Sequence, residues 1–321
     1  MRKNSIAACW TRLLAWAAVF LLLSGCTTLV PQTMALRTGW PDGVPQQVEL
    51  AQVPFFPQAD YQCGPAAIGM ALAYSGVAID PDALVDEVWL PARKGSLQVE
   101  MLATPRRHGR VSYRLAPRYA DLLREVAAGN PVVVLQDIGF IGSAWHYAVV
   151  NGYDYATGTI LLRSGVQMRQ RMSFTAFERT WFQGGHWAMV VLPPGKIAAS
   201  ATEERWLQSL LGLARGGDVE ATVQAYAAAL QRWPDSLPAA VGLANHLHAR
   251  GSLQEAAGVL RTALQKNPQS VIVLNNLAQT LSDLGQHAEG LALLDRADDG
   301  QSPFASEVRA TRALIEGRMR P

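Results

Sequence analysis

The chain has 321 residues, of which 49% are hydrophobic and 17% charged, with a formal net charge of +2 and three cysteines. At about 100–200 residues per domain, this length fits about two domains. A near-neutral balance excludes the basic field by which a protein gathers nucleic acid. The N-terminus places Arg2, Lys3 and Arg12 before an apolar run from Leu13 to Leu23, with no acidic residue before Asp42. A basic start followed by an apolar stretch too short for a spanning helix predicts a secretory signal over residues 1–25.

That stretch ends in Leu22-Leu23-Ser24-Gly25-Cys26, which resembles the lipobox of bacterial lipoproteins. The resemblance implies cleavage before Cys26, lipid on Cys26 as the membrane contact, and a periplasm-facing protein. Thr27 and Thr28 follow in place of Asp, which under the enteric sorting rule implies the outer membrane. Loss of residues 1–25 removes three basic residues and leaves 25 against 26 acidic ones, a formal charge of −1. Cys63 is then the sole free thiol, and in an oxidising compartment an unpaired cysteine points to reactivity. Residues 26–47 carry Pro31, Gly39, Pro41, Gly43 and Pro45 with little periodicity and read as a tether.

Residues 48–196 form the first predicted domain. Val53 to Gly76 reads as a short strand, a polar loop and a helix opening at Cys63-Gly64-Pro65. Proline is suited to a first helical turn because its missing N–H has no partner there. A thiol at that position meets unpaired N–H groups and the positive end of the helix dipole, both of which favour thiolate. Helices are predicted over residues 81–89, with Asp80 as N-cap, over 97–108 with a break near Pro105, and over 115–128. The pattern then changes to buried strands over 131–135, 145–153 (closed by Gly152) and 159–163, with an edge strand over 169–173. A helix over 174–181 and a last strand over 187–192 complete an α+β domain, helices first and an antiparallel sheet later.

This order is that of papain-like cysteine peptidases. The residues Val53-Pro54, Gln58 and Cys63-Gly64-Pro65-Ala66, with the later His146-Tyr147 and Gly152-Tyr153, resemble the C39-like peptidase family. The resemblance implies Cys63 as nucleophile, His146 as its proton acceptor and donor, and Gln58 as oxyanion donor beside the Cys63 N–H. Such chemistry needs a thiolate, an imidazole and hydrogen-bond donors for developing charge. Gln62 competes with Gln58, and His186 and His108 compete with His146; His186 is placed where it lines the cleft, and His108 is read as exposed. The chain departs from the family at the third member. Where many relatives carry Asp or Asn after the next strand, this chain has Arg163-Ser164-Gly165. Ser164, Asn151, Asp154 or a backbone carbonyl is left to orient His146.

Residues 202–318 are rich in alanine and leucine and repeat with a period of 34. Gly217, Gly251 and Gly285 keep that spacing, as do Leu213, Leu247 and Leu281. Ala225, Val259 and Leu293 align, as do Ala229, Ala263 and Ala297, and Trp233-Pro234 aligns with Asn267-Pro268. This resembles the tetratricopeptide repeat, an all-α array whose concave face implies a protein or peptide partner. His246, Asn275 and Asn276 are the polar residues placed to line it. No cofactor or metal site is indicated, since His246 and His248 are two apart and diverge on a helix. The sequence predicts a lipid-anchored peptidase acting on a peptide or protein, with a binding-only adaptor and an amide acyl transferase or deamidase as alternatives.

Overall fold

The computed structural model describes residues 30–57, 62–93, 95–297 and 302–320. The signal segment, Cys26 and Gln58 lie outside them. Residues 30–47 are packed structure, which corrects their reading as tether. Helix α1 (Pro31–Thr38) begins on a proline and buries Thr33 and Leu36. Glu178 accepts the Gln32 and Thr33 N–H groups at 2.9 and 2.5 Å, so a carboxylate sits at the unpaired N-terminus of α1. Strand β1 (Gln47–Glu49) then joins the sheet. The prolines and glycines that suggested a linker punctuate a folded segment.

Helix α2 (Cys63–Tyr74) is buried on every side from Gly64 to Leu72. Its residues are apolar all round, the composition of a helix inside a core. A 3₁₀ turn (Pro81–Leu84) capped by Asp80 leads into the one-turn α3 (Val85–Val88), and α4 (Gln98–Arg107) carries Pro105 in its last turn without breaking. Strand β2 (Val111–Arg114) was not expected; α5 (Tyr119–Ala127) starts later than predicted and turns Leu122, Leu123 and Val126 inward.

Strands β3 (Val132–Asp137), β4 (Trp145–Asp154), β5 (Thr159–Ser164) and β6 (Gln167–Ser173) follow, then α6 (Phe174–Gln183) and β7 (Ala188–Leu192). All pairings are antiparallel, in the order β2-β7-β3-β4-β5-β6, and β1 pairs with the far end of β4. Gly152 does not close β4. It lies at a register shift in the ladder to β5, where a Cβ would strike the Val48 carbonyl of β1.

Both faces of the sheet are covered, and period-two alternation divides it between two cores. Val133, Leu135, Tyr147 and Val149 face α2, with Val53, Leu84 and Met101. Val132, Val134, Ala148 and Val150 face the opposite side, with Leu122, Phe177, Trp181 and Trp206.

That second core runs on into the helical half. Helices α7 (Glu203–Ala214) and α8 (Val219–Arg232), α9 (Leu237–Ala249) and α10 (Leu253–Lys266), and α11 (Val271–Asp283) and α12 (His287–Ala297) form three pairs, followed by α13 (Ala305–Arg318). Gly217, Gly251 and Gly285 occupy the inner turns at φ of 86°, 83° and 81°, a left-handed conformation that β-carbons disfavour. Leu213, Leu247 and Leu281 are buried at equivalent positions. Trp206 of α7 packs on Tyr113 of β2 with ring centroids 5.7 Å apart. Gly212 and Gly216 allow close approach of Arg106 of α4. The buried Glu125 accepts the Ser200 N–H at 2.7 Å and its hydroxyl at 2.6 Å, pinning the connecting segment to α5.

Candidate active site

Cys63 is the first residue of α2 and is half-buried. Its N-cap, Gln62, makes no side-chain cap bond. The thiol lies beside the start of β4, where the backbone N–H groups of Tyr147, Gly64 and Cys63 itself are turned toward the sulfur. These donors favour thiolate, but burial outweighs them and pushes the thiol above its ordinary range.

Two walls enclose a cleft of about 830 Å³ in front of Cys63. One is the segment around Arg93, Ser96 and Gln98; the other is Leu135, Ser143, Trp145, Tyr147, Gln183 and Gly184. Gly64 makes this arrangement possible, because a Cβ there would overlap the Ser96 side chain. Tyr147 closes the floor: its hydroxyl donates to the Ser96 carbonyl at 3.3 Å and its ring meets Trp187 edge-on at 5.6 Å. Burial, with Cys63 alongside, pushes the Tyr147 phenol far above its usual value, so it stays protonated.

His146 is the second residue of β4, opposite Gln136. Its Nε2 lies 2.9 Å from Ser164 Oγ at the end of β5. Of the three residues considered as orienters, Ser164 is the one on the imidazole. Asn151 is buried five residues further along and donates to the Leu50 carbonyl at 3.3 Å. Asp154 accepts the Thr157 N–H at 3.2 Å in the β4–β5 turn. A serine hydroxyl serves either imidazole tautomer, accepting from Nε2–H or donating to Nε2, but brings no charge. Burial therefore acts unopposed and lowers the His146 pKa.

No hydrogen bond joins the Cys63 and His146 side chains among the described residues. The imidazole that the resemblance pairs with Cys63 is instead bonded to Ser164, and Cys63 lies beside the peptide next to His146. Strand alternation is the reason: Tyr147 points at α2, and its neighbour His146 shares the parity of Ala148 and Val150.

The competing histidines are elsewhere. His186 does not line the cleft; it holds a positive φ of 50°, packs on Trp181 and Phe182, and its Nε2 meets Gln32 Nε2 at 3.3 Å. His108 is not free on the surface but meets Glu87 at 3.1 Å. Sequence reasoning missed Ser96, Trp145 and Tyr147. Tyr147 stands next to His146 in the sequence, and it is the strand register that turns it toward the thiol. Asp137, at the end of β3, also went unnoticed. Its carboxylate accepts the Ala144 and Gly139 N–H groups at 2.8 and 3.0 Å, which hold its pKa below the usual range.

In the helical half, a polar groove of about 310 Å³ is lined by Asn245, His248, Asn276, Gln279 and Thr280, and Asn276 donates to Asn245 at 3.0 Å. His246 stacks on Tyr226 instead, with centroids 5.7 Å apart.

The described residues thus form an α+β domain, with Cys63 at the head of its buried helix and His146 on a strand of its antiparallel sheet, followed by an all-helical repeat array. Residues 50–189 match the Peptidase_C39 like family, and residues 247–315 match the tetratricopeptide repeat. Two solved structures are similar in part. One is described as a C39-like peptidase from Bacillus anthracis, 18% identical, covering 48% of this chain and 100% of that one, with a TM-score of 0.40. The other is the TPR2B domain of yeast Sti1 in its complex with pHsp70, 20% identical, covering 36% of this chain and 97% of that one, with a TM-score of 0.34. No curated protein matches the chain.

Proposed function

We propose that the protein is a cysteine peptidase anchored to a bacterial membrane through Cys26, outer and periplasm-facing, whose repeats recruit the peptide or protein it cuts. The observation that carries this reading is Cys63 at the head of α2 on the wall of the 830 Å³ cleft, beside the start of the strand that holds His146. Cys63 Sγ attacks the scissile carbonyl carbon and its proton passes to His146. With Nε2 engaged by Ser164, Nδ1 is the nitrogen left for that proton. His146 then gives the proton to the leaving amine, and water hydrolyses the acyl-enzyme. Gln58 and the backbone N–H of Cys63 supply the oxyanion donors. Ser164 is a positioning residue for the imidazole. Strand alternation puts the imidazole on the face of β4 away from α2, so turnover requires substrate binding to turn His146 toward the thiol.

A second reading, a binding-only adaptor, is favoured by the missing Cys63–His146 bond and by the raised thiol pKa. Acyl transfer or deamidation uses the same thiol and differs in the acceptor. The deciding experiment incubates the full chain and its Cys63→Ala variant with a mixed peptide library and identifies new termini by mass spectrometry. New termini made by the wild type and absent from the variant support the peptidase; no new termini from either sustains the adaptor. Amine-dependent products without new free termini identify the transferase.

A further inference from the structure

The site end of the sheet has an unusual surface. β3 ends at Asp137 opposite Trp145 of β4, β5 ends at Ser164 opposite Gln167 of β6, and α6 ends beside Leu135. This one end turns Phe140, Ile141 and Val166 of its connections, and Trp145, Met168 and Phe182 at the adjoining ends of β4, β6 and α6, toward solvent. Phe140 and Ile141 are 99% and 94% exposed, so they protrude instead of lining a groove. No charged residue occurs between Ile138 and Trp145 or between Ser164 and Met168. The hairpin is also braced: Asp137 holds both flanks of the tip through the Gly139 and Ala144 N–H groups. A soluble surface rarely carries adjacent, fully exposed, braced apolar residues without a partner.

The path of the chain indicates what that partner is. Gln32 meets His186, whose ring lies 5.4 Å from Phe182, so the chain enters the fold at this same end. Cys26 precedes Val30 by four residues. Four residues span at most about 14 Å even when fully extended. A lipid on Cys26 therefore holds this end of the sheet within roughly that distance of the bilayer.

We propose that this end docks on the phospholipid surface, with Phe140 and Ile141 entering the headgroup–acyl boundary and the Cys63 cleft opening beside the membrane. Aromatic and aliphatic side chains favour that boundary, where apolar parts leave water while the backbone stays hydrated. The inference rests on the anchoring reading above.

The test uses full chain carrying Phe140→Trp, reconstituted into vesicles of phosphatidylethanolamine and phosphatidylglycerol with brominated acyl chains, which quench on contact. Leu314→Trp, exposed on α13, is the comparison. Docking is supported if the fluorescence added at position 140 shifts to the blue and loses most of its intensity while that added at 314 is unchanged. It is overturned if both signals behave alike, or if the signal at 140 stays that of a water-exposed indole. It is overturned equally if the blue shift appears without lipid, on raising protein concentration (a second copy) or on adding an apolar peptide (a substrate contact). The mass of Cys26 reports anchoring separately. A lipidated chain without quenching removes docking alone; an unmodified, unquenched chain removes both.

Discussion

The repeat array and the cleft domain solve the same packing problem by different means. In the array each function is stated three times: a left-handed glycine at 217, 251 and 285, a buried leucine at 213, 247 and 281. In the cleft domain each task falls on one residue. Gly64 admits Ser96, Tyr147 floors the cleft, and Ser164 meets His146. Repetition spreads stability over equivalent contacts, whereas a site concentrates its chemistry on a few irreplaceable atoms.

Substitutions sharpen that contrast. The largest effect belongs to Cys63→Ala, which should lower peptide hydrolysis on the order of 10⁶-fold, the scale of nucleophile loss in the serine-protease precedent, and leave the melting temperature nearly unchanged. A retained rate would remove the thiol from the mechanism. Leu281→Ala inverts the pattern. It should cost about 2–5 kcal/mol of stability in denaturant melts, because the leucine is wholly buried, while hydrolysis of a short peptide persists below the melting point. Gly64→Ala should do both, costing roughly 1–3 kcal/mol through collision with Ser96 and distorting the cleft wall.

Smaller effects follow at the imidazole. Ser164→Ala should reduce kcat by about 10- to 100-fold, part of the usual acid–base contribution, with KM little changed. Ser164→Asp should raise the His146 pKa by placing a carboxylate on Nε2, visible as an alkaline shift of its imidazole resonances. An unmoved resonance would separate Ser164 from His146 in solution.

The pH dependence is the gentlest probe. Burial lowers His146 from its ordinary 6.5 and raises Cys63 from its ordinary 9.0. A histidine depressed on folding stabilises the fold above its unfolded pKa, and that stability is lost as pH falls below 6.5 toward the folded value. A thiol raised on folding stabilises the fold below its unfolded pKa, and that stability is lost as pH rises past 9.0. Stability should be flattest between these limits. Alkylation of Cys63 by iodoacetamide should have its midpoint above that ordinary 9.0. A midpoint well below it, abolished by His146→Ala, would instead establish an ion pair and strengthen the catalytic assignment.

What the sequence discloses follows the same division. The repeats were legible because any one position is checked by two others at a spacing of 34. Strands β3 to β5 were legible as apolar runs, and β2 was not, because Val111-Ser112-Tyr113-Arg114 is short and mixed. Residues 31–47 misled through proline, which starts α1 as readily as it ends a helix. At the site, Cys63 and His146 were each conspicuous, and Ser164 stood among the expected orienters. Their mutual geometry was not legible, since it depends on which face of β4 each residue takes. The protonation of Cys63 was hidden for a related reason: burial is a property of the assembled core, whereas helix position is local.

The joint between the two halves has a thermodynamic consequence. Glu125 holds Ser200, Trp206 lies on Tyr113, and one apolar core passes from the sheet into α8 and α9. Halves that share a core melt together, so a ligand of the repeats stabilises the cleft as well. A partner at 100 times its Kd adds about 2.7 kcal/mol to whatever unfolds as one unit with its site. Recruitment at the repeats should therefore be readable as slower hydrogen exchange in α5 and β3, which share that core.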